Sequence, residues 1–287
     1  MMGEIEVLQP GLFSTIQDLG RFGFREYGVP LSGSMDSYAS RLANLILHNS
    51  PGDPVLEITQ IGPKLKFLAP ANIVITGAEF SAGVGNRKVK NNRIQNVLAG
   101  EVLTFGERKS GSRAYLAIKG GFQCEEILGS CSWYDGLTTH CRLEKGIRLR
   151  FISCSKIEPI GTSVVAFREN YLFDTSVPVF PGPEFTKLPQ EFQKQLCEKT
   201  FSIDPMSNRM AIQLKEDIGN DLDPIITGPV IPGTVQLTPS GKLIVLMRDC
   251  QTTGGYPRVL QVSEKGLNIL AQKITGDNLE FELLNEH

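Results

Sequence analysis

The stretch DPVLEITQIGPKLKFLAPANIVITG (residues 53–77) indicates the fold class most clearly. It contains three short runs rich in apolar and β-branched residues, VLEIT (55–59), KLKFL (64–68) and NIVITG (72–77), and Gly or Pro occurs in the turns between them. Runs of this length and composition, bounded by turn residues, are typical of β-strands. The stretch therefore predicts three successive strands joined by tight connections.

Comparable runs occur along the rest of the chain, whereas helical patterns are rare. The runs include IEVLQPG (5–11), AYLAI (114–118), IRLRFI (147–152), SVVAF (163–167), GTVQLT (233–238) and KLIVLM (242–247). Apolar residues at helical spacing predict helices within 35–49, with Ser34 as the candidate N-cap, and within 189–200 and 264–274. Many strands with few helices predict a mainly β fold, a barrel or sandwich rather than an alternating α/β sheet.

The two halves of the chain show a weak internal similarity. When residues 40–77 are laid over residues 208–247 with short gaps, Gly62-Pro63 coincides with Gly228-Pro229 and the predicted strands correspond. We interpret this similarity as a duplication that gives two β-barrel lobes, residues 1–170 and residues 171–287, with a ligand cleft between them. Chance similarity between strands separated by Gly-Pro is the alternative.

Charge and hydropathy patterns exclude several classes of protein. The formal net charge is −2, and neither the 29 basic nor the 31 acidic residues form a long block. This argues against a nucleic-acid-binding or anionic-membrane-binding protein. The N-terminal residues lack the pattern of a signal peptide, and no stretch approaches the ~20 apolar residues of a membrane span. We therefore expect a cytoplasmic protein.

The six cysteines lack the local spacing of a metal site. Cys131 and Cys141 lie near His140, but the sequence contains no C-x-x-C motif, which structural zinc sites usually show. We expect free thiols and no bound metal ion. A zinc site at these three residues is the alternative.

The first polar segment is STIQDLGRFGFREYGVPLSGSMD (14–36), in which charged and hydroxyl-bearing side chains alternate with glycines. Glycines let a backbone approach a ligand closely, and Gln, Asp and Ser side chains supply hydrogen-bond donors and acceptors. The segment therefore predicts a site for a polar small molecule. The alternative is that these side chains satisfy the backbone of their own turns.

The second polar segment is MRDCQTTGGYP (247–257), which begins at the end of the run KLIVLM. Its polar residues leave the end of a buried strand, where scaffolds commonly carry functional groups. A tight β-turn is the alternative. The sequence lacks a G-x-S-x-G elbow, a phosphate-binding loop and an H-E-x-x-H motif. Acid–base chemistry would therefore fall to Asp18, Asp36, Asp249, Glu57, a lysine or a tyrosine.

Both polar segments, together with LEITQIGPKLKF (56–67), ITGAEF (75–80), YLAIKGGF (115–122) and GTVQL (233–237), resemble the biotin-dependent carboxyltransferase family, also called allophanate hydrolase subunit 2. The resemblance covers almost the whole chain. It implies two cyclophilin-like β-barrel lobes with a few short helices, in agreement with the proposed duplication. It also implies an active site that depends on partner subunits.

For stand-alone bacterial members, the resemblance implies a subunit of an ATP-dependent 5-oxoprolinase complex. In such a complex the partners are 5-oxoprolinase subunits B and A, ATP is the cofactor, and 5-oxoproline is opened to L-glutamate. Among residues within family motifs, we predict Asp249, Gln251 and Asp36 as catalytic, and an arginine (Arg21, Arg209 or Arg248) as the group that holds a carboxylate or phosphate. The predicted substrate-binding residues are Gln17, Asp18, Ser32, Arg209, Thr252, Thr253 and Tyr256.

The chain departs from the family pattern at three places. The usual G-S-R-S-T reads Gly129-Ser130-Cys131-Ser132-Trp133, which removes an arginine. The glycine-rich G-G-x-x-G-R-x-L element that follows is replaced by DGLTTHCRLEKG (135–146), and the usual S-D-R-M-G has Asn208 in place of its aspartate. Two alternatives therefore stay open. One is a biotin-dependent carboxyltransferase that acts on urea or a similar small amide, with the biotin on a separate carrier. The other is a regulatory subunit that catalyses nothing.

Overall fold

The computed structural model describes residues 2–153 and 170–284, and the chain divides into two compact units. Unit 1 comprises Met1–Arg21 and Ser32–Leu172, and unit 2 comprises Phe22–Leu31 and Phe173–His287. The predicted lobes, 1–170 and 171–287, differ from these units mainly in the segment 22–31, which belongs to unit 2. That the units are cyclophilin-like lobes related by duplication stays a prediction. The predicted strand SVVAF (163–167) lies outside the described residues.

Unit 1 is built mainly from antiparallel strands. In chain order they are β1 (Met2–Gln9), β2 (Phe13–Gln17), β3 (Val55–Thr59), β4 (Lys64–Phe67), β5 (Ala71–Glu79), β6 (Gly83–Val84), β7 (Arg87–Lys88), β8 (Gln95–Val97), β9 (Val102–Thr104), β10 (Ser110–Ile118), β11 (Phe122–Gln123) and β12 (Arg148–Ile152). The described residues form a seven-stranded sheet in the order β11-β12-β1-β4-β9-β6-β7 and a five-stranded sheet in the order β2-β3-β10-β5-β8. The strands predicted within residues 53–77 are confirmed as β3, β4 and β5.

The core of unit 1 forms from the inward-facing side chains of its strands. Along β1 the buried and partly exposed positions alternate, so Ile5 and Val7 enter the core while their neighbours do not. Phe67 of β4 and Phe151 of β12 meet edge to face with ring centroids 6.5 Å apart. Leu116 of the central strand β10 packs in the same cluster. These contacts bury apolar surface, which supplies most of the stabilisation of such a unit.

One helix, α1 (Ser37–Ile46), packs on the strands β3, β5 and β10 of unit 1. Ala39 and Ala43 face Val74 and Tyr115 in a second buried cluster. The helix begins after Asp36, whose carboxylate accepts a hydrogen bond from Ala39 N at 2.9 Å. The predicted helix is confirmed, but Ser34 as its N-cap is wrong. Asp36 lies directly before the first helical residue, where a carboxylate both caps the free N–H groups and complements the helix dipole.

Unit 2 combines short strands with two helices and two short 3₁₀ turns, Arg25–Tyr27 and Phe185–Lys187. Its elements are β13 (Ser176–Pro181), α2 (Gln190–Glu198), β14 (Phe201–Ser202), β15 (Ala211–Gln213), β16 (Gly228–Pro229), β17 (Thr234–Leu237), β18 (Leu243–Leu246), β19 (Thr253–Gly254), β20 (Arg258–Val262), α3 (Glu264–Ala271) and β21 (Asn278–Leu283). A third 3₁₀ turn, Asn170–Leu172, ends unit 1. The helices predicted within 189–200 and 264–274 are confirmed as α2 and α3.

The main sheet of unit 2 has seven strands in the order β14-β21-β13-β20-β17-β18-β15. Its pairings are antiparallel except that of β13 with β21, which is parallel. A separate two-stranded ladder joins β16 to β19. Among the described residues, no helix is both long enough and apolar enough to cross a membrane. The mainly β fold with few short helices is thus confirmed.

Replacement of Leu116 by alanine tests the core of unit 1. The Leu116 side chain has no exposed surface, so Leu116→Ala should lower the free energy of unfolding by about 2–5 kcal/mol through lost burial and a residual cavity. Leu98, which is 50% exposed, provides the control, because Leu98→Ala should change the free energy of unfolding by at most about 0.5 kcal/mol. Urea unfolding followed by Trp133 fluorescence measures both values, and equal effects would contradict the assigned core.

Candidate functional site

Gln17, at the end of β2, uses its side-chain amide inside unit 1. Its Nε2 donates to Thr15 Oγ1 at 3.0 Å and to Trp133 O at 3.2 Å. Its Oε1 accepts a hydrogen bond from Gly33 N at 3.1 Å. The side chain is fully buried, and a buried amide requires such partners. Gln17 therefore joins three segments of the fold, and its predicted substrate-binding role stays a prediction.

Asp18 holds the loop in which the family's arginine is missing. Its Oδ1 accepts hydrogen bonds from Gly20 N at 2.8 Å and from the hydroxyls of Ser130 and Ser132, each at 2.6 Å. Its Oδ2 accepts one from Cys131 N at 2.6 Å. Hydrogen bonds to an ionised carboxylate are short and strong. The Asp18 carboxylate thus fixes the conformation of residues 130–132, and substrate contact by Asp18 stays a prediction.

Arg21 contacts the same loop and is fully buried. Its Nε donates to the Ile127 carbonyl at 3.2 Å, and its NH2 group donates to the Ser132 carbonyl. A buried guanidinium requires acceptors of this kind because losing water costs several kcal/mol. Among the arginines considered as carboxylate or phosphate ligands, Arg21 is therefore engaged with the backbone of the loop.

Ser32 and Ser34 differ from their neighbours because their hydroxyls are not used within the described residues. Both side chains are buried, and neither Oγ atom has a hydrogen-bond partner there. Ser32 adopts a φ of 55°, a left-handed conformation that a serine rarely takes. A buried hydroxyl without a partner costs about 1–3 kcal/mol. The two hydroxyls are therefore suited to receive a polar ligand or a water molecule.

Asp36 lies at the centre of a buried network of carboxylates and tyrosines. Its Oδ2 accepts a hydrogen bond from the Tyr171 hydroxyl at 2.6 Å, and its backbone N–H donates to Tyr115 Oη at 2.8 Å. The Tyr115 hydroxyl donates in turn to Glu57 Oε2 at 2.9 Å. Burial, Glu57 and Asp36 together raise the pKa of Tyr115 well above its usual value. Tyr115 therefore stays protonated at neutral pH.

Glu57 extends this network to a buried cation. Its Oε2 also accepts a hydrogen bond from Met35 N at 2.8 Å, and its Oε1 lies 3.8 Å from Arg113 Nε. Glu57 was among the acid–base candidates in the sequence, which also included an unspecified tyrosine, but neither Tyr115 nor Tyr171 was identified. The sequence pattern around these two tyrosines did not indicate a site. Tyr115 lies within an apolar strand, and the predicted lobe boundary separated Tyr171 from unit 1, to which it belongs. The catalytic role predicted for Asp36 stays a prediction.

In unit 2 the structure brings Arg209 and Asp249 together. Arg209 Nε donates to Asp249 Oδ2 at 2.7 Å, and Arg209 NH2 donates to Oδ1 at 3.0 Å. The backbone N–H of Asp249 also donates to the Arg209 carbonyl at 3.0 Å. Both side chains are buried. A bidentate pair of this geometry fixes the orientation of the Asp249 carboxylate. The substrate-binding role predicted for Arg209 and the catalytic role predicted for Asp249 stay predictions.

The other predicted residues of the second segment present their side chains to solvent. Gln251, Thr253 and Tyr256 are exposed, and Thr252 is half-buried. The backbone of this segment is nonetheless ordered, because Thr253 and Gly254 pair with β16. The feature is therefore a short β-ladder rather than an isolated tight turn. It presents one amide and several hydroxyls on the surface of unit 2.

Two thiols lie together in the loop that Asp18 holds. Cys131 Sγ is 3.9 Å from the Cys124 carbonyl oxygen, and a hydrogen bond between the two thiols lowers the pKa of Cys131 and raises that of Cys124. Cys124, Cys131, Cys141, Cys197 and Cys250 are free thiols, and Cys154 lies outside the described residues. Within residues 2–153 and 170–284, no group of three or more His, Cys, Asp or Glu side chains is arranged to hold a metal ion.

Each unit contains a surface cavity. The cavity of unit 1 has a volume of about 300 Å³, and its lining includes Cys124, Trp133 and His140 but none of the predicted site residues. The cavity of unit 2 has a volume of about 400 Å³, and its lining includes Arg25 and Arg248. Arg248 thus lines the cavity of unit 2, whereas the other two candidate carboxylate-binding arginines, Arg21 and Arg209, line neither cavity.

Comparison with known proteins places these segments in a family context. Residues 27–283 match the family model described as carboxyltransferase domain, subdomain A and B. The chain is 32% identical to the C subunit of 5-oxoprolinase from Escherichia coli (strain K12), over 96% of this chain and 90% of the relative. It is 30% identical to the C subunit of 5-oxoprolinase from Haemophilus influenzae (strain ATCC 51907 / DSM 11121 / KW20 / Rd), over 98% of this chain and 91% of the relative.

Solved structures show the same similarity in three dimensions. The crystal structure of TTHA0988 superposes with a TM-score of 0.86 and 28% identity, covering 98% of this chain and 55% of that chain. The K. lactis urea amidolyase gives a TM-score of 0.86 and 28% identity, covering 98% of this chain and 19% of that chain. The chain therefore spans only about half, or less, of these two larger proteins.

Removal of the Asp18 carboxylate tests its role in the loop. Asp18→Ala leaves the Cys131 N–H and two serine hydroxyls without their acceptor, so the free energy of unfolding should fall by about 1–3 kcal/mol. Amide hydrogen exchange at Cys131 should also accelerate. Asp135, which is exposed in the same region, is the control. If Asp135→Ala changes the free energy of unfolding and the amide exchange at Cys131 as much as Asp18→Ala does, the Asp18 carboxylate does not hold the loop.

The cysteines should differ in reactivity towards iodoacetamide, because the thiolate is the reacting form. The pKa of Cys131 is lowered by its hydrogen bond with Cys124, whereas burial raises the pKa of Cys250 to about 11. At pH 8 we expect Cys131 to be alkylated well before Cys250, as measured by peptide mass spectrometry. Both should react at similar rates in urea. Faster labelling of Cys250 in the folded protein would contradict this assignment.

Proposed function

Because the chain belongs to the carboxyltransferase domain family, subdomain A and B, we propose that it is a subunit of an ATP-dependent 5-oxoprolinase complex that opens 5-oxoproline to L-glutamate. The observation that carries this proposal is the nearly full-length similarity to two relatives, each named as the C subunit of 5-oxoprolinase. Such similarity extends over both units, so it includes both polar segments. The partners in this proposal are 5-oxoprolinase subunits B and A, within the cytoplasm.

The chemistry explains why the reaction would use ATP. The amide of a five-membered lactam is stabilised by resonance, and its carbonyl is a poor target for water. Transfer of the γ-phosphoryl group of ATP to the carbonyl oxygen would release ADP and form a phosphorylated imidate. Attack of water at the same carbon and cleavage of the C–N bond, with the ring nitrogen leaving as a protonated amine, would give γ-glutamyl phosphate. A second water would then hydrolyse this acyl phosphate to L-glutamate and phosphate. In this scheme the protein must bind, orient and protonate the lactam.

The second polar segment offers the groups for these tasks. Asp249 is held by Arg209 at 2.7 and 3.0 Å, and a carboxylate of fixed orientation suits the transfer of protons. Gln251 and Thr253 are exposed on the same segment, and Thr252 is half-buried. We assign Gln251, Thr252 and Thr253 to hydrogen bonding with the lactam amide, and Tyr256, which is 38% exposed, to contact with its ring.

Unit 1 contributes differently in this proposal. The hydroxyl of Ser32 is buried and has no partner among the described residues, so it is suited to bind a polar ligand. Gln17, Asp18 and Asp36 instead place their side chains on the backbone of unit 1. We therefore assign these three residues to the support of the segment that carries Ser32.

A second candidate function follows from the similarity to urea amidolyase. In that proposal the chain is part of a biotin-dependent carboxyltransferase, and it moves a carboxyl group between carboxybiotin and a small amide such as urea. Residues 1–287 contain no biotin-attachment motif, so in this proposal the cofactor is carried outside these residues. The two functions differ in their need for biotin.

Reconstitution of the full chain with its A and B partners tests both functions. We expect ATP hydrolysis that depends on 5-oxoproline, release of one glutamate per ADP, and the same rates after avidin removes all biotinylated protein. Loss of activity with the biotinylated fraction would support the second function. Absence of 5-oxoproline-dependent turnover from an assembled complex of all three proteins would refute the first.

Replacement of Gln251 separates a catalytic from a regulatory role. Gln251→Ala removes a hydrogen-bonding group from the exposed segment, so the turnover number should fall by about 100-fold or more, while size-exclusion chromatography should show an unchanged complex. Gln190 is also exposed, in α2 of the same unit, and Gln190→Ala should keep full activity. Normal turnover with Gln251→Ala would remove Gln251 from the proposed site.

A further inference from the structure

The cavity of unit 2 combines positive charge with apolar walls. Its lining includes the guanidinium groups of Arg25 and Arg248 and one carboxylate, that of Glu264. Two positive charges and one negative charge leave a net charge of +1. Phe22 and Leu267 are among its apolar lining residues. A volume of about 400 Å³ is ample for a small organic anion.

Arg248 is incompletely satisfied in this cavity. The residue is 8% exposed, and its Nε has no hydrogen-bond partner among the described residues. Its NH2 group donates to Glu264, whose side chain is 57% exposed. Burial of a guanidinium costs several kcal/mol unless its donors are used. An anion in the cavity would satisfy Arg248 in place of Glu264, and more than half of the Glu264 side chain is already exposed to solvent.

The other polar groups of the cavity are already used. Arg25 NH2 donates to the Val230 carbonyl, which fixes the segment 22–31 beside Arg248. Gln261 Nε2 donates to Pro232 O at 2.9 Å, and its Oε1 accepts from Thr234 Oγ1 at 3.0 Å. The described lining therefore offers guanidinium donors and apolar contact but no available amide. This combination fits the carboxylate and the apolar ring carbons of a small ligand, and it leaves the ligand's amide to groups outside the lining.

We propose that Arg248, with Arg25 beside it, binds the carboxylate of the lactam substrate in this cavity, and that Glu264 competes with the substrate for Arg248. This inference rests on the proposed function, because it takes 5-oxoproline as the substrate. At neutral pH 5-oxoproline is a monoanion, so its charge matches the net charge of the lining. Because the cavity is formed by unit 2 alone, the isolated chain must bind the substrate without partners or ATP.

Titration of the full chain with 5-oxoproline, measured by isothermal calorimetry, tests the inference. Arg248→Gln should raise the dissociation constant at least about tenfold, because a charge-assisted contact is lost. Glu264→Gln should lower it several-fold, because the competing carboxylate is gone. The neutral probe 5-oxoproline carboxamide should bind weakly to all three proteins. Lys265→Gln is the control, since it removes an exposed positive charge from the same helix, and it should leave the constant unchanged.

The opposing results are distinct. No binding of 5-oxoproline by the chain, equal binding by Arg248→Gln, or weaker binding by Glu264→Gln would overturn the inference. The Glu264→Gln result keeps the test decisive if Arg248→Gln does not fold. Turnover by the reconstituted complex with an unchanged KM for Arg248→Gln would refute this site while the proposed function stands. If the chain binds 5-oxoproline as expected but the reconstituted complex shows no turnover, the carboxylate site at Arg248 stands and the proposed 5-oxoprolinase function is refuted.

Discussion

A polar group buried in a β-rich unit must find its hydrogen bonds within the protein, and this constraint decides which residues remain for a ligand. The first polar segment follows it closely. Gln17 and Asp18 bond to the backbone of distant loops, and Asp36 caps α1. In unit 2, Arg209 is bound to Asp249. The groups that remain include the Ser32 hydroxyl, the exposed side chains after Cys250, and the Nε of Arg248.

Local features of the fold could be predicted from the sequence because they depend on neighbouring residues. The strands of residues 53–77 follow from β-branched runs between turns, and the three helices follow from apolar spacing. The N-cap was misplaced at Ser34 because Ser34 and Asp36 are both good caps and lie two residues apart. The choice between them depends on where the chain enters the helix.

Long-range features could not be predicted in this way. Asp18 meets Ser130 across more than a hundred residues, and Tyr115 faces Glu57 only through the register of β10 against β3. No pattern in the sequence fixes a strand register or the destination of a loop, because both depend on the packing of the whole unit. The cavity beside Arg248 was missed for this reason.

Two of the three departures from the family pattern, those at Cys131 and Asn208, are explained by local geometry. Asn208 Oδ1 accepts hydrogen bonds from Met210 N at 2.7 Å and Ala211 N at 3.2 Å, and an aspartate oxygen would do the same. At Cys131 it is the backbone N–H that bonds to Asp18, so loss of the arginine side chain leaves this bond intact. Both changes therefore preserve the backbone of their segments, in keeping with the proposed reaction.

Replacement of Gln17 by alanine tests most directly whether a buried polar group serves the fold or the ligand. Two quantities are measured for Gln17→Ala: its free energy of unfolding, and its kcat/KM in the reconstituted complex. If the Gln17 amide serves the fold, the variant should lose about 1–3 kcal/mol of stability, and its folded fraction should keep nearly the kcat/KM of the wild type. Full stability with a large loss of kcat/KM would show that the amide acts on the substrate, contrary to the assignment made from its three buried hydrogen bonds.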